Sequence, residues 1–157
     1  MLRFICGVLM MNRDEILRIL EVRTFDSSMT PVVEVDKSKI LEAALFLKQA
    51  GYDMLLCLSC VDSGDCFEIV YNFYSTEEKK SVVVKTHLDR EYPEVKSVSS
   101  VYPCADWYER EVFDLFGVEF SGHGDLRRLL MPEGWEGYPL RKDYVQKDSR
   151  LRWNERR

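Results

Sequence analysis

Three apolar segments joined by two short polar links dominate the middle of the sequence and constrain the fold most strongly. The first, residues 53–61, is almost entirely apolar, which favours a central strand. The second, residues 66–74, alternates apolar and polar side chains, and the third, residues 81–88, is rich in β-branched residues. Because the links at 62–65 and 75–80 are too short for crossover connections, the pattern predicts an antiparallel meander.

The segments before the meander predict a helix, a strand and a second helix. Residues 12–22 place aliphatic side chains at helical spacing, and residues 32–35 are mostly valine. The second helix, residues 37–50, follows Asp36, a favourable N-terminal cap, and ends before Gly51, a favourable residue after a helix. These elements predict an α+β fold with a mostly antiparallel sheet and helices packed on it.

Length and charge suit one soluble domain with a distinct C-terminal segment. The 157 residues carry a net charge of −5, which argues against nucleic acid as a partner. From residue 121 onward nine basic and six acidic residues give +3, whereas residues 1–120 carry −8. A basic segment after an acidic body predicts contact with an acidic surface of the body or of a partner. We therefore expect a domain at 12–120 and an extended arm at 121–157.

The N-terminus and the cysteines exclude some classes of protein. No apolar run reaches the roughly 18–20 residues that span a bilayer, so we expect no direct membrane span. Residues 4–11 are apolar but short and lack a following cleavage site, so we do not expect a signal peptide, and Met11 suggests an alternative start. An odd number of cysteines, five, favours reduced thiols.

Four of the cysteines offer an alternative function as a metal or redox module. Cys57, Cys60, Cys66 and Cys104 supply enough thiols for zinc or an iron–sulfur cluster. However, residues 57 and 60 differ by an odd number within a predicted strand and should face opposite sides. We favour buried core thiols and keep the Cys-ligated site as the alternative.

The stretch 105–144 holds the densest charge pattern in the chain. Asp106 followed by Glu109 predicts a capped helix that ends at Gly117, with a short strand at 118–120 after it. Residues 89–103 show little periodicity and predict a loop. The later Gly-rich part places large aromatic residues beside Gly and Pro, which is typical of an irregular segment that lies on a surface.

The acidic residues of this helix predict ion pairs. Glu109 and Glu111 are two residues apart and point about 200° from one another on a helix, so they should not share a proton. Arg110 lies four residues from both Asp106 and Asp114 and is predicted to bridge one of them. The alternative is a stand-alone small-molecule enzyme that uses Glu109, Glu111, His123, Arg127 and Arg128. His123 itself is either a contact to a partner or a local turn residue.

A long spaced motif then resembles a known family. The sequence E-R-E-x-x-D-L-F at 109–116, followed after six residues by His123 and after three more by R-R-L-L, resembles the 30 kDa-type subunit of respiratory complex I, an NADH:quinone oxidoreductase. W-E-G-Y-P-L-R-K-D-Y at 135–144 resembles the second block of that family. Gly124 and Tyr138 depart from it, since the family commonly has Pro and His there.

The resemblance implies a structural subunit in the peripheral arm of a membrane-bound oxidoreductase. Such a subunit packs against the large catalytic (49 kDa-type) subunit near the quinone site, beside an iron–sulfur subunit, at the cytoplasmic face of the cell membrane. It binds no cofactor and has no catalytic residues, while the complex uses NAD(H) or another donor, FMN, iron–sulfur clusters and quinone. A deazaflavin-linked or hydrogenase-type complex is the alternative. The implied motif and interface residues are Glu109, Arg110, Glu111, Asp114, His123, Arg127, Arg128, Trp135, Arg141, Lys142, Asp143 and Tyr144.

Overall fold

Four strands form the main sheet of the computed structural model, which describes residues 30–145. They are β1 (Val32–Glu34), β2 (Met54–Asp62), β3 (Cys66–Ser75) and β4 (Lys80–Asp89), in the order β1-β4-β3-β2. The strands β2, β3 and β4 pair antiparallel, which confirms the predicted meander, and β1 joins β4 in parallel. The helix predicted at 12–22 lies outside the described residues.

The first strand of the meander differs in position from the sequence-based expectation. The apolar run that favoured a central strand is β2, at the edge of the sheet, and the prediction is wrong. β1 inserts beside β4, so that β3 and β4 occupy the centre. On β2, Met54, Leu56 and Val61 are between two-fifths and one-half exposed. An apolar run therefore does not distinguish a buried centre from an apolar edge.

A helix covers one face of the sheet. Asp36 accepts a hydrogen bond from the backbone N–H of Ser38 at 2.9 Å and starts a short 3-10 turn, Lys37–Lys39. The turn continues into α1 (Ile40–Gln49), which buries Ile40, Ala43, Ala44 and Leu47. Gly51 follows the helix with φ 89°, as its predicted role after a helix C-terminus requires.

The last elements form a second small unit against the sheet. They are β5 (Glu94–Lys96), α2 (Ala105–Phe116) and β6 (Glu119–Ser121), and β5 pairs with β6 in parallel. The expectation of a loop at 89–103 is therefore wrong for β5, because this strand pairs with a segment that follows α2. The mixed sheets with two packed α-helices confirm the α+β class.

The core lies between the sheet and the two helices. β3 contributes Phe67, Ile69 and Tyr71, which have no exposed surface. Cys60 is buried and Cys57 is exposed, which confirms that the two thiols face opposite sides of β2. Burial, with a smaller contribution from the nearby Asp62, raises the pKa of Cys60 to about 12.

Candidate functional site

The Gly-rich segment after β6 is fastened to α2 by one buried carboxylate. We call residues 121–145, the described part of the predicted arm, the arm segment. Oδ2 of Asp114 accepts the backbone N–H groups of Leu129, Leu130 and Met131 at 2.9, 2.6 and 2.8 Å. Oδ1 accepts Nη1 of Arg128 at 3.0 Å, and the carboxylate is fully buried. Burial opposes the charge, but these donors outweigh it and hold the pKa of Asp114 below its usual value.

Glu109, the other fully buried acid of α2, is bonded to the segment that precedes the helix. Glu109 is fully buried and accepts Ser97 Oγ–H at 2.6 Å and the Val98 N–H at 2.8 Å. Burial is the largest influence and raises the pKa of Glu109, although both hydrogen bonds favour its charged form. Glu111, two residues on, is exposed, as the helical geometry predicted.

The start of α2 corrects the predicted capping box. The helix begins at Ala105, so Asp106 lies inside its first turn rather than at the cap, and the side chain of Cys104 at the cap position makes no capping hydrogen bond. A preceding turn, in which the Ala105 N–H bonds the Tyr102 carbonyl at 2.9 Å, starts the helix early. Glu109 is consequently free to bind the segment before the helix.

His123 links the beginning of the arm segment to the same helix. Its side chain has no exposed surface. Nδ1 accepts the backbone N–H of Asp125 at 3.0 Å, so the proton lies on Nε2, which is 3.2 Å from both Oδ1 and the carbonyl of Asp106. This arrangement makes His123 a local hydrogen-bonded turn residue, one of the two predicted roles.

The arm segment also completes the C-terminal end of α2. A helix leaves its last carbonyl groups without internal partners, and cations are favoured at this end. Arg128 Nη1 donates to the Asp114 carbonyl at 3.4 Å, and the Leu140 N–H donates to the Leu115 carbonyl at 3.1 Å. Arg141 Nε donates to the Phe116 carbonyl at 2.5 Å. The helix has no basic residue in its own last turn, so the arm segment supplies both guanidinium groups.

Gly117 is the point of closest approach between helix and arm segment. Its φ of 72° confirms its predicted role as the helix stop, and a Cβ added there would lie 2.5 Å from the ring of Tyr138. The guanidinium of Arg141 lies 4.6 Å from the centroid of the Tyr138 ring and 5.1 Å from that of Phe67. Tyr138 is therefore an integral part of this contact.

A second buried carboxylate holds the far end of the arm segment. Asp62, at the end of β2, accepts Arg90 Nη1 and the N–H groups of Gly64 and Lys142, the last two at 2.8 Å. Arg90 Nη2 also binds Asp143 at 2.8 Å. The hydrogen bond from Arg90 is the main reason that the pKa of Asp62 lies far below its usual value. Sequence reasoning missed Asp62 and Arg90, since neither belongs to a recognisable motif.

The predicted bridge from Arg110 to Asp106 or Asp114 is wrong. Asp114 is occupied by Arg128 and three N–H groups, and Asp106 faces His123. Arg110 Nε instead donates to the Arg127 carbonyl at 3.3 Å. Its guanidinium lies 5.4 Å from the centroid of the Trp107 ring, which is 60% exposed. Arg110 thus supports an outward-facing aromatic side chain.

The predicted site residues separate into two sets. Those that make polar contacts inside the fold, around α2 and the arm segment, are Glu109, Arg110, Asp114, His123, Arg128, Arg141 and Asp143. Those that remain wholly or partly exposed around it are Glu111, Arg127, Trp135, Lys142 and Tyr144. The groups required by the small-molecule enzyme alternative do not converge, because Glu109 and His123 are buried while Glu111 and Arg127 are exposed.

Apolar side chains accompany the exposed set. Leu130, Leu140 and Val145 are 55%, 53% and 68% exposed on the arm segment, and Trp107 projects from α2. We call these four residues the outer apolar surface. Within residues 30–145 no group of three or more His, Cys, Asp or Glu side chains could hold a metal ion. No helix in the same range is long and apolar enough to cross a membrane.

Solved structures share this architecture. A chain of the archaeal membrane-bound sulfane sulfur reductase, a respiratory membrane complex, superposes with a TM-score of 0.69 at 26% identity, covering 85% of this chain and 84% of that chain. A trypsin-resistant fragment of Nqo5 gives a TM-score of 0.66 at 25% identity and covers 72% of this chain and 95% of that one. The α+β fold of this chain is thus shared with these two chains, one of which comes from a respiratory membrane complex.

Sequence comparison shows the family. Residues 33–150 match the family described as respiratory-chain NADH dehydrogenase, 30 Kd subunit, and the chain belongs to it. The C subunit of NADH-quinone oxidoreductase from Chloroherpeton thalassium is 46% identical over 125 residues, covering 76% of this chain and 52% of that protein. The C/D subunit from Pseudomonas fluorescens is 39% identical over 127 residues, covering 73% and 21%. The chain therefore spans about half of the first relative and about a fifth of the second.

Proposed function

We propose that this chain is a structural subunit, without a cofactor of its own, in the peripheral arm of a complex I-like NADH:quinone oxidoreductase. It packs against the large catalytic subunit near the quinone site and contacts the neighbouring iron–sulfur subunit. The observation that carries the proposal is that this family member holds its arm segment in place while the outer apolar surface stays exposed. An irregular segment held by two buried carboxylates presents that surface in a fixed shape, which reduces the entropic cost of binding.

The names of the fused relatives support the identity of the main partner. Several relatives are single proteins named as a joint C/D subunit, and this chain matches 127 residues of them. Two subunits joined in one chain work at high effective concentration and in a fixed stoichiometry. A separate 30 kDa-type subunit must achieve the same association through its surface, and the outer apolar surface offers aromatic and aliphatic anchors for that contact.

The redox chemistry belongs to the rest of the complex in this proposal. The complex would use NAD(H), FMN, iron–sulfur clusters and quinone, and this chain would contribute no catalytic residue. It would lie at the cytoplasmic face of the cell membrane through its partners. A second candidate is the equivalent subunit of a complex with another electron donor, such as a deazaflavin-linked or hydrogenase-type assembly. The similarity to the archaeal sulfane sulfur reductase chain favours that alternative over a metal module.

Matched charge substitutions test the role of the outer apolar surface. We expect Leu130→Asp or Leu140→Asp to reduce the amount of large catalytic subunit that co-purifies with the tagged chain. Leu45→Asp is the control, because Leu45 is 46% exposed but lies on α1 and not on the arm segment. Equal recovery for all three variants, each folded by circular dichroism, would remove the arm segment from the interface. Loss of recovery with Leu45→Asp alone would move the interface to α1.

A further inference from the structure

A polar row crosses the outer face of the main sheet, on the side opposite the buried face of β3. Glu68 on β3 lies directly opposite His87 on β4. Cys66 precedes Glu68 by two residues on the same strand and therefore shares its face. Glu34, on β1, flanks His87 from the other side. Three strands thus bring one thiol, one imidazole and two carboxylates together.

The imidazole stands between the thiol and the carboxylates. Cys66 Sγ lies 4.0 Å from His87 Nδ1, at the limit of a hydrogen bond to sulfur. On the other side of the ring, Nε2 lies 3.8 Å from Glu34 Oε1 and 3.9 Å from Glu68 Oε2. Lys85 Nζ binds Glu68 Oε1 at 2.9 Å and fixes that side chain. The carboxylates are placed to stabilise the imidazolium that forms when Nδ1 accepts a proton.

Solvent reaches this cluster. The side chain of His87 is 50% exposed, and Cys66 is partly exposed. Asp89, which pairs with Cys66 across the strands, accepts the N–H groups of Glu91 and Tyr92, so its carboxylate is bonded to the chain that follows β4. A cysteine becomes reactive when it is accessible and a neighbouring base takes its proton. Both conditions are present at Cys66.

We propose that Cys66 is a thiol-modification site that forms mixed disulfides with low-molecular-weight disulfides, with His87 as its base. His87 Nδ1 takes the proton from the Cys66 thiol, and the thiolate attacks one sulfur of the disulfide. A new S–S bond forms on Cys66 and the old S–S bond breaks. The released thiolate takes the proton back from His87, so that one small-molecule thiol leaves for each cysteine modified. The Cys66 sulfur supplies the electron pair of the new S–S bond and the departing sulfur keeps the pair of the old one, so the number of disulfide bonds is unchanged.

Cys57 is an internal control for exposure. It is more exposed than Cys66 and lies one strand away, opposite Asn72. The sequence contains two histidines. One of them, His123, is buried within the arm segment, and the other, His87, contacts Cys66. If exposure alone determines how fast a thiol reacts with a disulfide, Cys57 reacts faster than Cys66. If the neighbouring imidazole determines it, Cys66 reacts faster than Cys57.

The test treats the purified full-length chain at neutral pH with the uncharged disulfide of 2-mercaptoethanol and follows each cysteine by peptide mass spectrometry. We expect Cys66 to react about tenfold faster than Cys57, a modest part of what a positioned base contributes. His87→Gln should bring Cys66 to or below the rate of Cys57 and leave Cys57 unchanged. A parent protein in which Cys57 reacts as fast as Cys66 would overturn the proposal. So would a His87→Gln protein with the parental rate at Cys66, because Gln cannot act as the base.

Discussion

Replacing Asp114 with alanine should release the arm segment from α2. The substitution removes the acceptor for three backbone N–H groups and for Arg128, all within 3.0 Å of the carboxylate. Removing one partner of a buried charged pair costs roughly 3–5 kcal/mol of stability, because the remaining groups are left without partners. Since α2 keeps its own backbone hydrogen bonds, the loss should fall on the attachment of the arm segment rather than on the whole fold.

Hydrogen exchange at the Leu140 N–H measures the release of the arm segment, because the substitution at Asp114 does not itself remove a hydrogen bond of Leu140. Its N–H donates to the Leu115 carbonyl and is not bonded to Asp114. A loss of 3–5 kcal/mol corresponds to an opening equilibrium shifted by roughly 10²–10⁴, so exchange at Leu140 should accelerate by about a hundredfold or more. Mass spectrometry of peptides that contain Leu140 measures this rate.

Two further variants make the experiment decisive. Glu111→Ala removes an exposed acid from the same helix and should leave exchange at Leu140 unchanged. Asp114→Asn keeps the shape but loses the charge, and its effect should be intermediate. If Leu140 exchanges in Asp114→Ala at the parental rate, the carboxylate does not hold the arm segment and the reasoning is refuted.

Three other substitutions test separate contacts. Burial raises the pKa of Glu109 in the folded protein, so the free energy of unfolding falls as the pH rises from the pKa of the unfolded chain to that of the folded one. Glu109→Gln should flatten the corresponding decline in melting temperature. A variant with the same dependence of melting temperature on pH as the parent would contradict this reasoning. Gly117→Ala should lower the free energy of unfolding, measured with denaturant, by more than Gly122→Ala. Both glycines have a positive φ, which costs an alanine about 1–2 kcal/mol, but of the two only Gly117 would place its Cβ against an aromatic ring. Equal losses of stability would argue against that contact. Arg110→Ala should cost about 2–3 kcal/mol, since it loses one hydrogen bond from a charged donor to a carbonyl and an aromatic contact. A loss near 5 kcal/mol would indicate a buried ion pair.

Local pattern was sufficient for the elements of the meander. Alternation along 66–74 and the short links on either side depend on neighbouring residues, and these strands form as predicted. The edge position of β2 could not be predicted in the same way. It depends on where Val32–Glu34 pairs, and that choice is made by packing between segments distant in sequence.

The site shows the same division between local and distant information. The motif was sufficient to identify the family, and helical geometry correctly separated Glu109 from Glu111. Spacing along the helix paired Arg110 with the wrong acids, because it considers only partners on the same helix. The actual partner of Asp114 is Arg128, reached by an irregular chain path. The hydrogen bond from the Lys142 N–H to Asp62 joins residues that are 80 positions apart, and no pattern in the sequence indicated it.

Crosslinking in native membranes tests the central claim most directly. A tag on this chain would recover its complex after treatment with a lysine-reactive crosslinker, and mass spectrometry would identify the linked residues. Lys142 is exposed on the arm segment, whereas Lys79 is exposed in the turn at the opposite end of β3 and serves as the control. We predict recovery of the large catalytic subunit with crosslinks from Lys142 in clear excess over those from Lys79. Recovery of this chain as a free monomer, without any other subunit of such a complex, would contradict the account.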